Sequence, residues 1–136
     1  MIENVKLTGR NQMIEIDRIK TKNYVLDTVN LGEKNTAYSL VNTIGLIGVE
    51  RDIWYKKLSD IEITGWVIAD DRDAESMERR KMRLNHFVIP TTQLHMVYDG
   101  INTIDFIVTE SIRYAKAYQD NNEAFCKFQI TGLYRW

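Results

Sequence analysis

Residues 60–90, DIEITGWVIADDRDAESMERRKMRLNHFVIP, decide the fold class. From Ile61 onward the chain alternates, with Ile61, Ile63, Gly65, Val67 and Ala69 on one face and Glu62, Thr64, Trp66 and Ile68 on the other. That is a strand with one committed core face. Asp70, Asp71 and Asp73 follow, short carboxylates able to accept hydrogen bonds from the free N–H groups that open a helix. The spacing predicts a single helix over about 74–88. Glu75 and Glu78 lie in its first turns and Arg79, Arg80, Lys81 and Arg83 come after them, the order the helix dipole favours. Met77, Leu84 and Val88 supply its inward stripe, and Pro90 disfavours helical geometry at Ile89 and stops it.

Outward from this unit the chain reads as strands. Val5 and Leu7 share a face, Gly9 to Asn11 is a turn, and Ile14 and Ile16 share a face in turn, which predicts a hairpin. Residues 23–30 place Tyr24, Leu26 and Thr28 opposite Val25, Asp27 and Val29. Residues 33–59 are weakly patterned; Gly45 and Gly48 count against a helix there, leaving strand and a long hairpin. After the helix, Leu94, Met96 and Tyr98 alternate with His95 and Val97, and Asp99-Gly100 turns the chain into a strand with Ile104, Phe106 and Val108 inward. Ile112, Tyr114 and Lys116 alternate with Arg113 and Ala115; Asp120 to Glu123 is a turn; Cys126, Phe128 and Ile130 face inward on the last strand. About eight to ten strands and one helix, without strand and helix alternation, predict a mainly β fold. The economical form is an antiparallel β-sandwich or partial barrel with the helix on its flank.

The 136 residues, 44% hydrophobic and 27% charged, suit one domain over 1–136 with one core. No repeat, low-complexity tract or composition shift marks a second domain. A formal net charge of -1 gives no overall case for nucleic acid or an anionic membrane as partner. No run approaches the ~18 apolar residues of a membrane span, and the polar start MIENVKLTGRNQ lacks a secretory core. A soluble protein is expected.

Chemistry-bearing patterns are sparse. Cys126 is the only cysteine, so no internal disulfide can form; facing the core with no base beside it in sequence, it reads as a small buried hydrophobe. His86 and His95 have no third ligand spaced to complete a metal site. Asp70, Asp71 and Asp73 lack the glycine and closing glutamate of a calcium loop, and capping is the simpler role. No GxGxxG, GxxxxGK(S/T), HExxH or GxSxG pattern occurs. Neither enzyme activity, cofactor nor metal is expected. Tyr38, Trp54, Tyr55, Trp66, Arg79, Arg80 and Arg83 are the candidates for subunit contacts: aromatics outside the predicted core face, and a basic helix run suited to inter-subunit pairing or to solvent. The poorly patterned 33–58 hairpin, with Trp54, is the segment expected to reach a neighbour.

The run ITGWVIADDRDAESMERRKMRLNHFVIP, followed by QLHMVYDG, IDFIVTESIRYAK and NNEAFCKFQITG, resembles the N-terminal domain of distal tail proteins of tailed bacteriophages and prophages. The carrying features are a G-apolar-apolar-A strand leading into a charged helix, the Leu84, Asn85, Phe87 and Pro90 ending, a short-turn hairpin, and the closing 121–128 strand. The likeness covers 60–132, with a looser match over 24–47. It implies a tail-tube-like fold and a structural virion protein of the tail tip or baseplate. Such a protein forms a ring, hexameric in that family, joining the tail-tube protein to the tail hub or tail-associated protein, with DNA passing through its lumen and no specific nucleic-acid contact. It would be made in the bacterial cytoplasm. Family members often continue into a carbohydrate-binding domain, so sugar binding is not carried over. A small intracellular β-barrel binding module, holding an anionic ligand near 71–76 or a protein partner, is the alternative; the acidic turn opposes an anion there.

Overall fold

A computed structural model describes residues 2–18, 24–32, 58–70, 75–120 and 123–135. The 33–57 segment, with Tyr38, Trp54 and Tyr55, lies outside the described residues, as do Asp71 and Asp73. The fold is mainly β with one helix among the described residues. Strands β1 (Asn4–Gly9), β2 (Gln12–Asp17), β3 (Tyr24–Leu31) and β4 (Leu58–Asp70) precede helix α1 (Ser76–Phe87). Strands β5 (Gln93–Tyr98), β6 (Asn102–Val108), β7 (Arg113–Tyr114), β8 (Tyr118–Asp120) and β9 (Glu123–Arg135) follow it.

The expected sandwich is matched only in part: the pairing closes the sheet into a complete barrel. The strands run β4-β3-β2-β1-β5-β6-β9, and β9 pairs back onto β4, closing a seven-stranded barrel. β4 and β9 pair along their whole 13-residue lengths. Among the described residues, β7 and β8 pair with β9 alone. The ladder is antiparallel except at β2 and β3, which meet in parallel through the one described pair Asp17 and Val25. Period-two alternation is common to a sandwich and a barrel; which strand meets which decides between them.

Inward positions follow the alternation closely. Val5, Leu7, Ile14, Ile16, Ile61, Ile63, Val67, Leu94, Met96, Phe106, Val108, Cys126, Phe128 and Ile130 are all buried. β3 departs from it. Tyr24 and Leu26 are buried, but a bulge between Leu26 and Thr28 leaves Thr28 exposed and turns Val29 and Leu31 toward the core. One extra residue in a strand reverses the face of everything after it. The predicted strand around Tyr114 is shorter than expected, reduced to β7 and β8 with Lys116 exposed between them. A lysine at an inward position gives that stretch little to bury.

Helix α1 starts at Ser76 with Glu75 at the N-cap and no side-chain capping bond, while Asp70 ends β4. Ser76, Leu84 and Phe87 are its buried residues, with Met77 partly buried; Phe87 joins the expected stripe. The N–H of Val88 bonds the carbonyl of Leu84 at 2.8 Å. Thr91 and Val108 then tie the chain to the end of β6, Thr91 N–H donating to Val108 O at 2.7 Å and Val108 N–H to Thr92 O at 2.9 Å.

Candidate functional site

Across the β2–β3 seam the one pair among the described residues is Asp17 with Val25, and α1 touches both strands. On the β3 side the Tyr24 hydroxyl donates to the Arg80 carbonyl at 2.9 Å. On the β2 side Arg83 Nη2 donates to the Met13 carbonyl at 3.3 Å. Leu84, Phe87 and Val88 enter the same core as the strands. The helix thus adds side-chain bonds and apolar burial across these two strands.

Arg79, Met82, Arg83 and His86 stand at i, i+3, i+4 and i+7, one helix face. With Gln12 and Met13 they line an open groove between α1 and the β1–β2 turn. Met13 is 52% and Met82 55% exposed, two large apolar side chains left beside three basic residues. Arg79 Nη1 lies 3.3 Å from Glu75, an exposed pair. Arg83 keeps its contact with the Met13 carbonyl. Arg80 turns the other way and donates to the Ile68 carbonyl on β4, so it braces the helix instead of joining the groove.

Beneath α1 sits a second polar cluster. The Tyr114 hydroxyl lies 3.1 Å from the Lys81 carbonyl and 2.8 Å from Asn85 Oδ1, and Lys81 Nζ rests 4.9 Å from the Tyr114 ring centroid. The Cys126 thiol donates to the Ala115 carbonyl at 3.1 Å. Burial pushes the Tyr114 hydroxyl well above the usual tyrosine range, reinforced by Tyr24, Cys126 and Glu78. Burial likewise raises the Cys126 thiol, against the pull of Lys81, so the thiol stays protonated and unreactive at neutral pH.

Trp66 stands half-buried on the outer face of β4, with Lys127 Nζ 5.5 Å from its ring centroid and 3.2 Å from Asp27. His95 and Asp105 face each other across β5 and β6, Nδ1 to Oδ1 at 2.6 Å, both exposed. Of the predicted contact residues the structure therefore brings Arg79 and Arg83 into one groove, sets Arg80 inward, and holds Trp66 elsewhere. Met13, Met82 and His86 are additions to that groove. Met82 was detectable as a helical-period partner of Arg79, Arg83 and His86; Met13 reaches them only through the tertiary fold.

Among the described residues, no group of three or more His, Cys, Asp or Glu could hold a metal ion. No described helix is long and apolar enough to cross a membrane. Comparison with family models, curated proteins and solved structures found no match.

Proposed function

We propose that the protein is a structural component of a phage or prophage tail tip, copies of which form a ring between the tail tube and the hub. The observation that carries this reading is the order of elements from β4 to β9. The Gly65 to Ala69 strand, the charged helix ending at Pro90, the tight Asp99–Gly100 hairpin and the closing β9 strand are those of the family resemblance. They join here in one barrel unit. The interior supports a scaffold over a small-ligand carrier, since Leu7, Ile63, Met96, Phe106 and Phe128 are each nearly or wholly inaccessible and fill it. Ring assembly needs surfaces that are not satisfied within the subunit, and the groove beside α1 is one.

Light scattering and negative-stain electron microscopy of the purified chain, alone and with the cognate tail-tube protein, test assembly. A hexameric ring in either sample is the expected result. Mass spectrometry of purified tailed particles from the source strain decides the role: particles that contain tail-tube peptides and none from this chain would end the proposal.

A further inference from the structure

Among the described residues three large apolar side chains stand exposed: Met13 at 52%, Met82 at 55% and Ile101 at 86%. Met13 and Met82 share the groove beside α1, and Ile101 crowns the β5–β6 turn, where Asp99 and Gly100 hold φ of 51° and 81°. The register sets these two places at opposite ends of β1. Gly9 pairs with Gln12 at the groove end; Asn4 pairs with Asp17 at the other, where the Asp99 N–H donates to the Asn4 carbonyl at 3.1 Å. The 6 residues of β1 span roughly 17 Å, so Ile101 cannot enter the groove of its own chain. Charge divides in the same sense. The groove lining carries Arg79, Arg83 and His86 and no acidic side chain. Glu75 beside it pairs with Arg79 at 3.3 Å, an exposed contact of the kind that water and salt screen. Around the tip stand Glu3, Glu15, Asp17 and Asp99, with Lys6 and Arg18 as the described bases. Arg18 pairs with Glu3 at 3.6 Å, and Asn4 Nδ2 draws Glu15 and Asp17 to the tip end at 3.2 Å each.

We propose that the Ile101 tip of one copy docks in the α1 groove of a second copy of this chain. Ile101 packs against Met13 and Met82, and the acid surplus of the tip faces the basic groove while Arg79 and Arg83 keep their contacts with Glu75 and the Met13 carbonyl. Apolar burial supplies the affinity, and the opposite charge of the two ends fixes which end meets which. The docking breaks no strand pairing of the barrel. Knob and groove are different surfaces, so a copy docked through one keeps the other open and the contact can repeat from copy to copy. The inference deepens the ring reading by naming its contact; it rests on that reading for closure into a ring, not for the docking itself.

The test mixes full chains carrying Ile101→Cys with full chains carrying Met82→Cys under mild oxidation, and reads the linked peptides by mass spectrometry. Lys116→Cys, exposed between β7 and β8, replaces Met82→Cys in the control, and the buried Cys126 does not compete. Thiols held in contact meet at an effective concentration of roughly millimolar, so at ~0.1 mM chain the link from position 101 to 82 should exceed that from 101 to 116 by about tenfold. Raised salt, and Arg83→Glu added to the Met82→Cys chain, should each lower that link severalfold. Unchanged urea midpoints show that the variants fold. Equal links to positions 82 and 116 overturn the proposal, as does a 101-to-82 link indifferent to both salt and Arg83→Glu. A chain carrying both cysteine substitutions separates the docking from the ring. Covalent products longer than two chains support both; products that stop at two chains support the docking and count against the ring.

Discussion

Gly65 and Gly132 occupy positions where a β-carbon has no room. At Gly65 it would come within 2.5 Å of the Val25 carbonyl and 2.8 Å of Phe128 Cζ; at Gly132, within 2.6 Å of the Ile107 carbonyl. Backbone on the neighbouring strand cannot yield as a flexible side chain can. Gly65→Ala should therefore destabilise the protein by about 1–3 kcal/mol, read as a lower urea midpoint with unchanged slope. The buried acids under α1 give a second residue-scale expectation. Folding raises Cys126 above its ordinary 9.0 and Tyr24 and Tyr114 above their ordinary 10.0, so the unfolded chain loses these protons first as pH rises. Their contribution is fully present below pH 9.0 and is lost progressively above it, through the interval up to the folded values. Urea midpoints followed through alkaline pH should fall, and Tyr114→Phe should make that fall shallower above pH 10.0.

At the scale of elements, α1 has two faces with different consequences. Leu84 is fully inaccessible and Met82 is 55% exposed, although they are neighbours in the same turn. Leu84→Ala should cost about 2–5 kcal/mol, whereas Met82→Ala should stay within about 0.5 kcal/mol, both measured by chemical denaturation. Equal losses would mean that α1 is seated differently on the barrel. The β3 bulge shows why strict alternation fails on one strand: Tyr24 and Leu26 are buried, but the extra residue at Asp27 makes Val29 and Leu31, not Thr28, the next inward positions. Nothing in the local residue types marks that bulge. Its phase is set by Ile61, Ile63 and Gly65 on the neighbouring strand, to which β3 must match its apolar side chains.

For the whole molecule, closure concentrates stability where the long strands meet. Native-state hydrogen exchange should be slowest in the inward residues of β4 and β9, such as Ile63 and Ile130, and fastest in β7 and β8, which among the described residues pair with β9 alone. Uniform protection across all strands would contradict a barrel organised on this pair. The sequence by itself determined the β class, the strand–helix unit of 60–90, the hairpin turns at Gly9 to Asn11 and Asp99–Gly100, and most inward residues. All of these rest on local geometry: a period of two, a period of 3.6, or a turn that needs particular backbone angles. Only the tertiary structure decided that β9 closes onto β4, that β2 and β3 meet in parallel at a single described pair, and that Met13 joins Arg79, Met82, Arg83 and His86 in one groove. Those features depend on contacts between residues far apart in the chain, where many pairings satisfy the same alternation and only the mutual fit of strands, bulge and helix selects one.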